Sequence, residues 1–432
     1  MPLSEELTPK NNSAASYFPV SANSANNKYD WEVVVGFFIK SLHDLELEKS
    51  LKSLDDFKAL CKNHFIDKLD GEPFWSVIEK MYFDSRQVLN ITPEMQALKV
   101  LNIDKSSSGD QRLTLLFNSL MGDIEVSSAP KAQLNFLERE VKKVFDSPLV
   151  TNESQRVRKQ HIAYLPFLSE QFQKDLKFLV SYPDHFLQNV KAFLKLYGFL
   201  YTAQLSLNIK SWAYKPEVKP CYFILDSEKA SKERTKLQLH GHKQVIESSN
   251  SLFPYLALNE SLQDTKKLIS PLWKLFEELS EKDLSALNNY ASIFHEDRKL
   301  TTEQKLADTT IDAIGNLTQL FTEQFKKGST RETAFNNFVK ATRETLIHPF
   351  EQNRRRAGSF LILNQDYLLL LTNLSIGKSD KLRLHELLIE FQKRGVFFDK
   401  SSEECLIDFF ERMGNVERMS DSGDAVYVKK TI

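Results

Sequence analysis

The sequence predicts a mainly α protein, a multi-domain helical body that ends in a winged-helix-like module. Three observations predict it. Glycine is scarce, at 13 of 432 residues, so few positions suit tight turns, and long helices are favoured over many short strands. Apolar residues recur at helical spacing along the middle of the chain. From residue 358 onward the pattern becomes helix, helix, short strand, helix and hairpin, the order of a helix-turn-helix with a wing. A chain of 432 residues exceeds one ordinary core, and roughly two to four domains are expected.

Residues 1–28 are rich in Ser, Asn and Pro with little apolar periodicity. They are expected to form a mostly flexible arm, unable to bury enough surface to offset ordering entropy. A helical N-terminal domain is expected over 29–150, where Phe37, Phe38, Leu42 and then Phe57, Leu60, Cys61 and Phe65 fall near helical spacing. A polar boundary follows Asp146-Ser147-Pro148. The central helical domain, 151–357, carries the strongest stripe. Leu168, Phe172, Leu176 and Leu179 stand at i, i+4, i+8 and i+11, and Phe186, Val190, Phe193, Tyr197 and Tyr201 continue it beyond a Tyr182-Pro183-Asp184 break. Such stripes serve as core. Residues 221–226 read as a short strand or buried connection, 268–279 and 301–325 as helices, and 352–358 as a polar hinge.

The C-terminal module, 358–432, is punctuated by its glycines. A helix over 365–375 stops at Gly377. Leu384, Leu387, Leu388 and Phe391 mark one face of a second, which ends at Gly395. Val396-Phe397-Phe398 reads as a short strand. Ser401 and Glu404 have capping-box spacing, and Leu406, Phe409, Phe410 and Met413 stripe the third helix up to Gly414. Val416–Met419 and Ala425–Lys429 alternate like paired strands.

The totals exclude several function classes. With 57 basic and 58 acidic residues, the chain lacks the basic excess of a protein that coats nucleic acid alone. Cys61, Cys221 and Cys405 are odd in number and far apart, fitting neither a disulfide framework nor a zinc spacing. The opening Met1-Pro2-Leu3-Ser4-Glu5-Glu6 is unlike a secretory leader, and the apolar stretch 360–376 is broken by Asn364, Gln365, Asp366 and Asn373. A cytoplasmic protein, not inserted in a membrane, is expected. No P-loop, no G-x-G-x-x-G and no G-x-S-x-G occurs, so neither nucleotide hydrolysis nor a serine nucleophile is expected, and no cofactor or metal is assigned.

Local charge offers the remaining candidates. The outer face of the third helix presents Glu403, Glu404, Asp408 and Glu411, which would meet phosphates without counterions in a major groove. That face suits partner docking. DNA contact is left to the wing (Arg418, Lys429, Lys430), to Arg354-Arg355-Arg356, to the run with Lys232, Arg234 and Lys236, or to the cluster Arg156, Arg158 and Lys159, the last two of which also read as an ordinary solvated surface. Asp226-Ser227-Glu228-Lys229 after an apolar run, with His240 and His242 downstream, keeps open a metal-dependent nuclease centred on 222–242. Such nucleases, however, separate the second acid and the lysine by one residue.

Several stretches together resemble the DptG (DndG) family, the G component of DNA phosphorothioation-dependent restriction systems of bacteria. They are Tyr164-Leu165-Pro166-Phe167-Leu168, Tyr222-Phe223-Ile224-Leu225-Asp226-Ser227-Glu228-Lys229, Leu252-Phe253-Pro254-Tyr255 and the tail from Gly414 to Ala425. The resemblance implies a subunit without catalytic residues of its own. It would act with ATPase-like F and H partners in antiviral defence, on double-stranded DNA lacking the sulfur mark. The rival expectations are the nuclease and a stand-alone winged-helix DNA-binding regulator, against which the neutral charge and acidic third helix speak.

Overall fold

Apolar residues three and four apart share a face only on a helix, and most of the chain buries them that way. The computed structural model describes residues 3–66, 68, 72–101, 107–124, 134–147, 149–151, 162–303, 305–419 and 425–432. The N-terminal part holds α1 (Trp31–Leu42), β1 (Leu45–Leu47), α2 (Leu54–Ile66), α3 (Glu72–Ile78), α4 (Ser108–Met121), α5 (Phe136–Asp146) and β2 (Leu149–Thr151), with β2 antiparallel to β1. Capping fixes three of these starts. Asp30 accepts from the Glu32 amide, and Ser107–Asp110 and Asn135–Glu138 form reciprocal boxes.

The centre is built on α6 (Pro166–Val180) and α7 (Pro183–Asn208), each opening on a proline whose missing N–H no helix would use. The second half of α7 is buried on every side, from Leu196 to Asn208. Phe172 is the hub. Its ring lies 6.2 Å from Phe38, 6.4 Å from Phe117, 5.0 Å from Phe193 and 4.9 Å from Tyr197, joining the N-terminal helices to the centre. There follow β3 (Cys221–Tyr222), β4 (Ile224–Leu225), α8 (Thr235–His240), α9 (His242–Ser249), α10 (Leu252–Ser261), α11 (Leu272–Glu278), α12 (Leu284–Arg298), α13 (Thr310–Glu323) and α14 (Glu332–Thr342). The helix expected over 301–325 begins only at Thr310, because the Thr309 side chain caps it by accepting from the Asp312 amide.

The C-terminal part runs β5 (Glu351–Asn353), β6 (Ser359–Leu363), α15 (Gln365–Ile376), β7 (Lys381–Arg383), α16 (Leu384–Lys393), β8 (Val396–Phe397), α17 (Lys400–Arg412), β9 (Val416–Met419) and β10 (Ala425–Lys429). Strands β7, β10 and β9, in that order, form an antiparallel sheet. The segment Cys221–Leu225 joins this part to the centre. Its first half pairs in parallel with β8 and its second half in parallel with β6, which β5 flanks antiparallel. The buried apolar side chains form one connected cluster from Leu3 to Val428, beside a small satellite around Ile224, Leu237, Phe360 and Ile362. No helix among the described residues is long and apolar enough to cross a membrane.

Two expectations are corrected. The segment read as a flexible arm is packed where it is described. Leu3, Ala14, Tyr17, Phe18 and Val20 are buried, the Tyr17 hydroxyl donates to the Ile269 carbonyl at 2.5 Å, and Tyr201 donates to the Tyr17 carbonyl at 2.9 Å. A few aromatic anchors, with partners for the backbone around them, offset the ordering entropy that composition alone suggested was unmet. The third C-terminal helix is capped not at Ser401 but at Asp399, whose carboxylate accepts from the Ser402 amide at 3.1 Å.

Candidate nucleic-acid interface

Side chains two apart on a strand share a face. In β7 this puts Lys381 and Arg383 together on the outer side of the β7–β10–β9 sheet, while Leu382 points inward. The antiparallel register sets Lys429 opposite Lys381 and Tyr427 opposite Arg383, with Glu417 on the far side of Tyr427. On the opposite face Val428 is fully buried. Two cations of β7 approach the Tyr427 ring. The Lys381 ammonium is 5.1 Å and the Arg383 guanidinium 5.6 Å from its ring centre, and Arg383 Nε donates to its hydroxyl at 2.9 Å. Glu417 bridges Lys381 at 2.9 Å and Lys429 at 2.8 Å, and these two hydrogen bonds hold its carboxyl below the usual range. Three cations and an aromatic ring therefore share a solvent-facing surface with one carboxylate. Such a surface attracts phosphates and offers a ring for stacking.

Of the residues singled out in the sequence, Lys429 belongs to this face. Lys430 lies next to it on the tail, 5.7 Å from the Tyr182 ring. Arg418 points to the other side of the sheet and pairs with Glu411 at 2.5 Å, so a residue read as DNA-binding neutralises one read as partner-docking. Glu404 and Asp408 are exposed and Glu403 half-buried along α17. Arg355 and Arg356 are exposed at the β5–β6 turn, where Arg355 takes a left-handed φ of 53°; Arg354 instead reaches the Asp226 carboxylate at 3.1 Å. Lys232 is exposed, and Lys236 stands 5.6 Å over the Tyr222 ring. Arg156, Arg158 and Lys159 lie outside the described residues.

Arg234 leaves the phosphate-contact set. It is enclosed by Glu228 and Asp399, donating through Nε to Asp399 at 2.8 Å and through a terminal nitrogen to Ser402 Oγ at 2.8 Å. Buried Glu228, which also accepts from Ser402 Oγ at 2.9 Å and from the Leu225 amide at 3.1 Å, requires that counter-charge. The residues weighed for a metal site diverge in the same way. Asp226 faces Arg354, Glu228 faces Arg234, His240 lies 3.3 Å from the Gln244 side chain, and His242 faces Glu351 at 3.0 Å. Among the described residues no group of three His, Cys, Asp or Glu is placed to hold a metal ion.

Lys381, Arg383 and Tyr427 escaped the sequence reading. Their signal was the period-two alternation of Lys381-Leu382-Arg383, too short to stand out from a loop.

The module is tied to the helical centre by charge. On α16, Glu390 accepts from Lys174 of α6 at 2.9 Å and from Lys393 at 2.5 Å. Burial alone would raise Glu390, but hydrogen bonds from Lys393 and Lys174 and the Arg394 charge bring it to about 2. Glu140 is held at about 2 by hydrogen bonds from Lys143, Lys68 and His64. Glu32 reaches about 2 because Lys191 and Lys99 outweigh its burial. Each folded-state value lies below the ordinary 4.5, so the stability these carboxylates contribute is full above that pH and is lost as pH falls toward 2. The urea midpoint is therefore expected to fall steadily from about pH 5 to about pH 2.5, and less steeply in Glu390→Gln. A flat profile, or an unchanged slope in the variant, would contradict this assignment.

No protein-family model matches the chain, and no curated protein matches it with statistical significance.

Proposed function

We propose that the chain is a non-catalytic scaffold and DNA-positioning subunit of a bacterial phosphorothioation-dependent restriction complex, acting with F and H partner subunits on DNA lacking the mark. One observation carries the reading, the opposite charge of two surfaces of the C-terminal module. The sheet face with Lys381, Arg383, Tyr427 and Lys429 suits a phosphate backbone. The α17 face with Glu403, Glu404 and Asp408 would be repelled by one and suits a protein partner. The element order and the β7–β10–β9 sheet support a winged-helix reading in which the strands approach DNA and the third helix does not. The sequence resemblance supplies the system.

Fluorescence anisotropy of the full chain with a duplex over a salt series tests the DNA half. Double reversal, Lys381→Glu with Arg383→Glu, is expected to lower affinity uniformly across sequences and to flatten the log K against log [salt] slope by about two. Glu404→Lys with Asp408→Lys should leave duplex binding intact or tighter while abolishing co-purification with the F and H subunits. Unchanged DNA binding after the first reversal, or a wild-type chain that never associates with those subunits, would defeat the proposal.

A further inference from the structure

A small crevice opens where β4 and β6 end side by side, the position in a parallel sheet where backbone and loop groups converge on a ligand. Its volume is about 250 Å³. That is just under the ~300–1,000 Å³ of sites for drug-sized molecules, room for about one ring system. The floor is apolar, formed by Leu225, Leu363, Leu368 and Phe409, with Met413 at one wall. The rim is polar and draws on three separate stretches of chain: Asp226 and Ser227 after β4, Gln365 at the start of α15, and Arg412 at the end of α17.

The rim groups are positioned but not saturated. Arg354 holds one Asp226 carboxylate oxygen at 3.1 Å, and among the described residues no side-chain hydrogen bond engages the second. The Gln365 amide nitrogen rests 3.6 Å from the Met413 sulfur, a weak acceptor that a ligand oxygen or ring nitrogen would displace. Arg412 uses Nε on the Asp408 carbonyl at 3.2 Å, and among the described residues no hydrogen bond reaches its terminal nitrogens. An apolar floor edged by a carboxylate, a carboxamide and a guanidinium suits a planar ring with donors and acceptors along one edge. Arg354 also links the crevice to the turn carrying exposed Arg355 and Arg356, which would meet an anion attached to that ring.

We propose that this crevice binds a nucleoside monophosphate unit, with the base on the Leu363–Phe409 floor and the phosphate toward the Arg354–Arg356 turn. The unit is either a free nucleotide or a base turned out of a DNA strand. Only the second source rests on the DNA reading above.

Isothermal titration of the full chain with the four deoxynucleoside monophosphates, and with ribose 5-phosphate as the probe lacking a base, tests it. Binding of at least one nucleotide is expected, weakened about threefold to tenfold by Gln365→Ala, the loss of one neutral hydrogen bond to the ligand. The same loss is expected in Ser227→Trp, which fills the mouth from an exposed turn position without touching the core. The Lys381→Glu, Arg383→Glu variant should bind free nucleotides normally, so failure of the sheet-face reading and failure of this one are separable. A duplex with 2-aminopurine opposite an abasic site distinguishes the sources. A fluorescence increase abolished by Ser227→Trp identifies a strand base, and its absence with free-nucleotide binding intact identifies a soluble nucleotide. Either ribose 5-phosphate binding as tightly as the nucleotides, or no binding in any arm, overturns the proposal.

Discussion

Replacing Arg394 with alanine is expected to destabilise the folded chain by about 3–5 kcal/mol, the range for breaking one side of a buried ion pair. Arg394 and Asp175 are both fully buried. The guanidinium meets the carboxylate side-on, Nε to Oδ2 at 2.7 Å and a terminal nitrogen to Oδ1 at 2.5 Å, and its other terminal nitrogen donates to the Glu390 carbonyl at 2.6 Å. The Tyr197 hydroxyl donates to Asp175 at 2.6 Å. Burial disfavours the charged arginine, but the Asp175 charge and its hydrogen bonds raise the guanidinium well above its usual range, so Arg394 keeps its charge. Alanine would strand the carboxylate with one neutral donor. Lysine would not rescue it, because a point ammonium cannot reproduce the two-nitrogen fork. The paired change Asp175→Leu with Arg394→Met should recover part of the loss, since two apolar groups of similar volume need no counter-charge, the remainder being the Tyr197 hydroxyl left without its acceptor. Urea unfolding of the wild type, Asp175→Leu, Arg394→Met and the double variant gives the cycle. A single-variant loss under about 1 kcal/mol, or no recovery in the double variant, would show that the pair is not the clasp it looks to be.

Phe172→Ala is expected to cost about 3–5 kcal/mol by leaving a cavity that the surrounding rings fill only in part. Phe172 is fully buried and touches rings on both sides of the helical centre, with Phe117 stacked at 12° and Tyr197 edge-on at 87°. Its loss removes transfer energy and four ring contacts at once, so the effect belongs near the top of the range for phenylalanine. Phe172→Leu, which keeps most of the volume, should lose less than half as much. Leu115, exposed at 58%, is the control, and Leu115→Ala should stay within about 0.5 kcal/mol. Equal effects at the two sites would refute the hub.

Much of the C-terminal module was readable because its boundaries are chemical. Gly377, Gly395 and Gly414, taken as helix stops, have φ of 60°, 85° and 72°, a region other residues enter only at a penalty. At Gly395 a Cβ would also lie 2.2 Å from Gln204 Nε2. The hairpin strands run Val416–Met419 and Ala425–Lys429, as their alternation indicated. What escaped was non-local. The partners of Cys221–Leu225 lie far ahead in the chain, at β6 and β8, and local pattern holds no trace of a pairing across that distance. The same applies to Arg234. In sequence it is one more cation in a basic run; only the fold brings Asp399 and Ser402 to it. The candidate interface was half legible for this reason. Lys429 sat in a recognisable strand, whereas Lys381, Arg383 and Tyr427 acquire meaning only once β7 is laid against β10.

The pairing of Cys221–Leu225 with β6 and β8 has a consequence for biosynthesis. A ribosome exposes this apolar segment well before it has made either neighbouring strand, so a nascent chain carries an unsatisfied backbone ribbon through much of its elongation. Closure waits until β6 and β8 have been made, and termination anywhere before Ser359 would release a polypeptide with that ribbon open. Fragments truncated there should be insoluble and degraded, whereas chains that extend through β8 should accumulate in a cell.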